Sequence, residues 1–334
     1  MTHVARDLFL PVSTQPRLGE FVSLAVRAEQ NGYERVWLPE TWGRDAVTVL
    51  ATVARETERV GIGTSVTNVY SRSPALVGQT AATLQEASDG RFRLGLGPSG
   101  PALVEGWHGV AYGNPLRRTR EAIEVVRQVL SGDVVEYDGD CFQLSGFRLR
   151  HDPPEPPPVD VAGIGPTAVE LAGRFGDGWH ALVLTPDELA DRMDDFRRGA
   201  QLGGRDPAGQ RVTVVLPCCA LEDRERARYL AREHVAFYVG AMGTFYRDAL
   251  ARQGYEETAT AVAQHWANGD RETAVDAIGD GVLDGLAAAG HPEECRERLA
   301  AFERVEGVDA VSVGFPRGAD AGELAATADA PAPG

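Results

Sequence analysis

Glu40, Thr41 and Trp42 stand in a row at the end of a short apolar run, RVWL. A carboxylate, a hydroxyl and an indole in that order suit contact with a polar, planar ligand. The acid accepts hydrogen bonds, the hydroxyl can pass a proton, and the indole can wall a flat ring. The competing readings are an ion pair with Arg44 for Glu40 and ordinary packing for Trp42. Three further stretches are rich in Gly, Ser and Thr: GTSVTNVYSRSP from Gly63 to Pro74, GLGPSG from Gly95 to Gly100, and GIGPTA from Gly163 to Ala168. Such residues let backbone N–H groups approach a ligand closely while supplying few acids or bases.

GLGPSG matches G-x-G-x-x-G, but that fingerprint belongs on the first strand–helix turn of a dinucleotide fold. Here it follows the fourth apolar run, and the next helix is expected far downstream, so the match is rejected. Tyr70 and Arg72 are within reach of the same region, and Arg72 suits an anion. His108 is a candidate acid, although a lone loop histidine seldom carries chemistry. His180, next to Trp179 inside an apolar run, reads as a packed residue.

These residues need elements to hold them. Eight short apolar runs read as strands: Asp7–Pro11, Arg35–Leu38, Val60–Val66, Phe92–Gly97, Val159–Gly163, Trp179–Leu184, Val212–Cys219 and Asp309–Phe315. Most are followed by helical spacing. Phe21, Leu24, Ala25 and Ala28 repeat on one helical face, and Gly32 is placed to end that helix. Pro74 suits the first position of a helix over Ala75–Ala87. Further helices fit Leu116–Leu130, Thr167–Phe175 and Pro186–Arg198. Strand and helix alternating eight times define a (β/α)8 barrel, which places a site at the C-terminal ends of the strands. Those ends are Pro11–Gln15, Pro39–Trp42, Thr64–Arg72, Gly97–Gly100, Gly163–Pro166, Leu184–Thr185 and Gly314–Arg317.

One barrel domain over residues 1–320 is expected, with two insertions. A hairpin at about 132–158 carries an Asp138–Gly139 turn signal and a proline-rich return, HDPPEPPP. A helical excursion is expected at about 222–289, and a disordered tail over 321–334.

The net charge is −16 over 334 residues, which argues against nucleic acid and anionic membranes as partners. Every basic residue is Arg. Abundant acids with no Lys suggest adaptation to high salt; a genome that favours Arg codons is the plainer reading. No apolar stretch approaches the roughly 20 residues of a membrane span. The N-terminus lacks the basic start and apolar centre of a signal peptide, so a cytoplasmic protein is expected. The four cysteines form no CxxC and the seven histidines no HExxH, so no metal is expected and the thiols should be free. The expected partners are a small-molecule substrate and further copies of the chain, as a homodimer or a higher homo-oligomer.

Three motifs carry a family resemblance: VWLPETWGRD, GIGTSVTNVYSRSPALVGQTAATLQEASDGRFRLGLGPSG and VAGIGPTAVELAGRFGDGW. The chain resembles the luciferase-like oxidoreductases, and within them the branch that uses the deazaflavin coenzyme F420. TNVYSRSP followed by GRFRLGLGP is most similar to methylenetetrahydromethanopterin reductase. The resemblance implies a non-prolyl cis peptide at Ser65–Val66, behind the deazaflavin ring. It places Glu40 and Thr41 near the ring and Thr67 and Asn68 along its far side. Gly97, Pro98 and Ser99 match a loop beside the coenzyme. Gly163, Ile164 and Gly165 match the loop that holds its phosphate-bearing chain.

The chain departs from the family's acid–base pattern. Thr41 stands where many relatives have His, Gly100 where many have Glu or Asp, and Leu8 where the methanopterin reductases have Glu. The implied activity is hydride transfer between F420 and a small organic substrate, with a methylene-pterin or folate among the candidates. Glu40 and Thr41 are the expected catalytic positions. The alternatives are an FMN-dependent monooxygenase on the same barrel and a non-catalytic flavin-binding barrel.

Overall fold

A computed structural model describes residues 4–11, 17–151 and 155–333. Eight parallel strands run in order around one sheet: β1 (Ala5–Phe9), β2 (Arg35–Leu38), β3 (Gly61–Thr64), β4 (Phe92–Gly97), β5 (Val159–Ala162), β6 (Gly178–Leu182), β7 (Arg211–Ala220) and β8 (Ala310–Gly314). Each pairs with the next, and β8 returns to β1 with Ala5 opposite Ala310, so the sheet closes. The expected (β/α)8 barrel is therefore present. The expected strand spans shift by no more than two residues at any end.

Local chemistry sets the helix starts. Ser73 accepts from Leu76 N at 3.2 Å and Thr185 from Glu188 N at 3.3 Å, each with Pro at the first helical position. The helix Leu18–Gln30 buries Phe21, Leu24, Ala25 and Ala28, and Gly32 turns the chain at φ +80°.

The barrel interior is not purely apolar. Arg93 of β4 grips Asp160 of β5 through two hydrogen bonds, at 2.8 and 2.5 Å. Arg211 of β7 reaches Asp7 of β1 at 3.1 Å, and Trp37 Nε1 donates to Asp7 at 2.8 Å. Asp7 and Asp160 are almost wholly buried. The two acids respond in opposite ways. Burial raises the Asp7 carboxyl despite Arg211 and Trp37. Burial would also raise Asp160, but the charge and hydrogen bonds of Arg93, helped by His180, hold it well below the usual carboxylate range.

Two excursions leave the barrel. Val135–Asp138 pairs antiparallel with Gln143–Phe147, joined by a loop whose N–H groups at Cys141 and Phe142 are accepted by Glu121. Between β7 and β8 the helices Arg224–Ala241, Thr244–Arg252, Glu256–Ala267, Arg271–Asp276 and Asp280–Leu286 form a cover, before Ala288–Gly290 adds to β7.

Two expectations are corrected. The tail 321–334 is not disordered over its first part: Ala321–Asp329 is a helix with Leu324 and Ala328 buried. Asp320 caps it, and Tyr33 Oη donates to Ala328 O at 2.8 Å. The alanine-rich composition hid a helix whose small residues pack closely. A short helix, Pro101–Gly106, also follows GLGPSG directly, started by Pro101, where none was expected until well downstream. No described helix is long and apolar enough to cross a membrane.

Candidate active site

A cavity of about 480 Å³ opens at the C-terminal ends of the strands, beneath the helical cover. Its floor is the bulge after β3. The Ser65–Val66 peptide is cis, and both residues line the cavity. The bulge is tied on two sides. Ser65 N donates to Leu38 O at 3.0 Å, and Glu40 N donates to Val66 O at 3.1 Å. Thr64 Oγ1 donates to Gly95 O at 2.9 Å and accepts from Gly95 N at 3.0 Å.

This closeness explains the glycines of GLG. A Cβ on Gly95 would stand 2.0 Å from Thr64 O, and one on Gly97 would stand 2.9 Å from Val66 Cγ2. No side chain fits between β4 and the bulge.

Beneath the floor lies a buried polar chain. Ser65 Oγ and His180 Nδ1 are 2.9 Å apart, and His180 packs edge-on against Trp37 at 4.4 Å. His180 Nε2 lies 3.4 Å from Asp160 Oδ2, within ion-pair reach but off the line of a hydrogen bond. His180 lines the cavity as well as packing in the core. The reading of it as packed covers half of its role.

Nine of the twelve expected positions line the cavity: Glu40, Thr41, Ser65, Val66, Pro98, Ser99, Gly163, Ile164 and Gly165. Thr67, Asn68 and Gly97 do not. Thr67 and Asn68 extend the sheet beside Leu96 and Gly97. Asn68 braces the loop instead: its Oδ1 accepts from Tyr70 N and Ser71 N, both at 2.8 Å, and its amide meets His108 Nε2 at 3.0 Å. His108 is thereby drawn into the brace and away from the cavity lining.

Arg72 forms ion pairs with Glu40 and with Asp45 and is not left facing the cavity alone. Tyr70 stacks on Tyr112 at 5.4 Å under the Arg118 guanidinium. The polar loop after β3 is largely a self-bonded frame for the bulge. Of the strand end Pro11–Gln15, only Pro11 lies within the described residues, and it lines the cavity.

The departures from the acid–base pattern have local causes or settings. A Cβ on Gly100 would meet Met242 O at 2.8 Å, so the cover excludes any side chain there. Leu8 is fully buried in the core.

At the far side, the loop Gly163–Gly165 opens the helix Pro166–Phe175. Trp179 Nε1 donates to Gly163 O at 2.9 Å and fixes the loop. A Cβ on Gly163 would lie 2.8 Å from the Ala168 carbonyl, so the turn closes tightly on its own helix. Arg252, from the cover, brings Nη2 to 3.9 Å from the Cβ position of Gly165 and has no ion pair among the described residues.

The roof is the helix Arg224–Ala241 with its neighbours. Trp42 is tilted against Phe237, with ring centroids 6.3 Å apart. Arg317 lies over the Phe237 ring at 3.5 Å. His234, Tyr238 and Tyr246 form a run of ring contacts at 4.8 and 5.0 Å. Sequence reasoning named Arg317 only as part of a strand end and missed the three rings. Their signal was weak: aromatic residues on an amphipathic helix look like core.

Fold and site together define a (β/α)8 barrel with a ligand cavity built from strand-end loops and a helical cover. The chain belongs to the luciferase-like monooxygenase family, whose model matches residues 5–309. It is 31% identical, over 84% of its length and 86% of the other's, to a Mycobacterium tuberculosis protein named as a coenzyme F420-dependent oxidoreductase. It is 30% identical to 5,10-methylenetetrahydromethanopterin reductase of Archaeoglobus fulgidus, over 93% of each chain. In structure it is similar to the coenzyme F420-dependent tetrahydromethanopterin reductase of Methanopyrus kandleri, with TM-score 0.86, 23% identity and 98% of each chain covered.

Proposed function

We propose that this protein is an F420-dependent oxidoreductase that passes a hydride between the deazaflavin and a small organic substrate. The observation that carries the reading is the shape of the cavity. The floor is the Ser65–Val66 bulge, seated closely on Gly95 and Gly97, and it leads to a helix start without a side-chain cap and to Arg252, which has no ion pair among the described residues. A flat ring suits the first, and a phosphate suits the second. Backbone N–H groups, a helix start and Arg252 supply the anion site in a chain without Lys. The Mycobacterium tuberculosis relative named as F420-dependent supports the same reading.

Ser65, Val66, Pro98 and Ser99 would hold the ring, and Gly163–Gly165 with Arg252 the anionic chain. When bound, the deazaflavin supplies a hydride at a carbon centre. The chain's own residues fix orientation and exclude water. Glu40, held by Arg72, sits in the wall as an ionic contact. Thr41 and Ser65 offer hydroxyls to the cavity, and Ser65 can keep its proton on the hydrogen bond to His180. A methylene-pterin or folate is one candidate acceptor.

Fluorescence-quenching titration tests the reading. Coenzyme F420 is expected to bind at micromolar Kd or tighter, FMN more weakly, and NAD not at all. FMN binding tenfold tighter than F420 (about 1.4 kcal/mol) would favour a monooxygenase instead.

A further inference from the structure

Three polar atoms in the roof are buried without a partner: Glu233 Oε2, His234 Nδ1 and Arg317 Nε. Buried polar atoms are normally satisfied. His234 and Arg317 line the cavity, where a bound molecule can supply their partners, and Glu233 stands beside Arg317. The orphans share one corner. Arg317 Nε is 3.8 Å from Glu233 Oε1, too far for a hydrogen bond. The hydroxyls of Tyr238, in ring contact with His234, and of Tyr246, in ring contact with Tyr238, have no hydrogen-bond partner among the described residues.

The corner is rich in donors. Arg317 carries a planar fork, its Cζ 3.5 Å from the Phe237 ring centroid, and each tyrosine and His234 adds a donor. Burial pushes the His234 imidazole down to about 3, with Arg317 adding to the effect, so it is neutral at pH 7 and keeps one N–H. Burial raises the Glu233 carboxyl against the pull of Arg317, and no hydrogen bond joins the two. Around the corner the walls are apolar: Val235, Val239, Met242, Phe245 and Leu286.

Arg317 follows β8, whereas the Gly163–Gly165 loop follows β5, three strands away around the ring. The corner is thus separate in the fold from the anion-binding end proposed for the coenzyme.

We propose that the corner formed by His234, Tyr238, Tyr246 and Arg317 is the substrate's polar subsite, and that the substrate is an apolar carbonyl compound bearing a carboxylate bound by Arg317. This deepens the hydride-transfer reading and rests on it for the carbonyl; the carboxylate subsite stands on the roof alone. Arg317 and its neighbours act in binding and specificity.

Calorimetric titration of the full chain with 4-acetylbenzoate and with acetophenone, without coenzyme and again with F420 present, provides the test. The two probes differ by the carboxylate alone. The acid is expected to bind at least tenfold more tightly, and Arg317→Met, which keeps an apolar cover over Phe237, is expected to abolish that preference. F420 affinity should stay within twofold of the parent. Equal affinity of the two probes for the parent protein, or no binding of either, overturns the proposal without need of a variant. So does a preference that survives in Arg317→Met, or a variant that loses F420 instead. Failure of F420 to bind, with the acid preference intact in its absence, would remove the coenzyme reading and leave the subsite.

Discussion

The floor and the roof of one cavity are built on opposite principles. Under the floor, Arg93 is hydrogen-bonded to Asp160 and Ser65 to His180, whose Nε2 lies 3.4 Å from Asp160 with no hydrogen bond. The bulge above is pinned to β2 by backbone hydrogen bonds and to β4 through Thr64. In the roof, Glu233 and His234 on a helix of the insertion, and Arg317 in the loop after β8, keep polar atoms unmatched. A floor of that kind is organised before any ligand arrives, which suits a coenzyme held in one fixed pose. A roof with unmet donors gains its partners from what binds, which suits the selection of a substrate. The division follows the fold: strands share a closed hydrogen-bonded sheet, while cover helices are joined to it by loops.

The largest effect expected from breaking the contrast lies under the floor. Asp160→Asn leaves the Arg93 guanidinium buried without its counter-charge, and should cost about 3–5 kcal/mol in urea unfolding. The Asp160 carboxyl is depressed in the folded state. Its contribution is therefore full above the unfolded carboxyl value near 3.9 and is lost as pH falls through the folded value. The variant should show a shallower loss of stability below pH 4 than the parent. A cost under about 1 kcal/mol would mean that the floor is not organised by this pair.

Gly95→Ala comes next. Its Cβ would press on Thr64 O at 2.0 Å, so the bulge must move. A stability loss of about 1–3 kcal/mol is expected. F420 affinity should fall at least tenfold, as read by fluorescence quenching. Unchanged affinity would show that the bulge's position does not matter to the coenzyme.

His234→Leu sharpens the roof side. Removing an orphaned buried polar atom should change stability by less than about 1 kcal/mol at pH 7.5. The folded imidazole sits at about 3. In the parent its contribution is full above the unfolded histidine value near 6.5, and is lost as pH falls from there toward 3. Between pH 7 and pH 4, thermal melts should therefore show the parent losing more stability than the variant. An equal loss would mean that His234 is protonated as readily folded as unfolded.

The smallest and most diffuse effect concerns the surface, which belongs to neither side. We propose adaptation to salt, from a charge of −16 with Arg as the sole strong base. Melting temperature should rise by a few degrees from low to molar KCl, and the difference between floor and roof variants should not change.

Hydrophobic runs of four to ten residues separated by helical spacing are a local property, so the strand count and the barrel could be read from the chain alone. Arg35–Leu38 and Phe92–Gly97 agree with the observed strands residue for residue. The glycine-rich strand ends could be read for the same reason, since backbone freedom is written in residue type. The roof could not. Whether Tyr238 or Tyr246 packs in a core or faces a cavity depends on where an inserted helix docks, and amphipathic spacing is the same in both cases. Asp7, Arg93, Asp160 and Arg211 pair between strands up to 204 residues apart. Nothing in local sequence fixes a partner at that distance; closure of the barrel does. In the same way, Arg72 was free to serve an anion on paper. The fold carries Glu40 and Asp45 to it, and Coulomb attraction in a half-buried loop then determines its use.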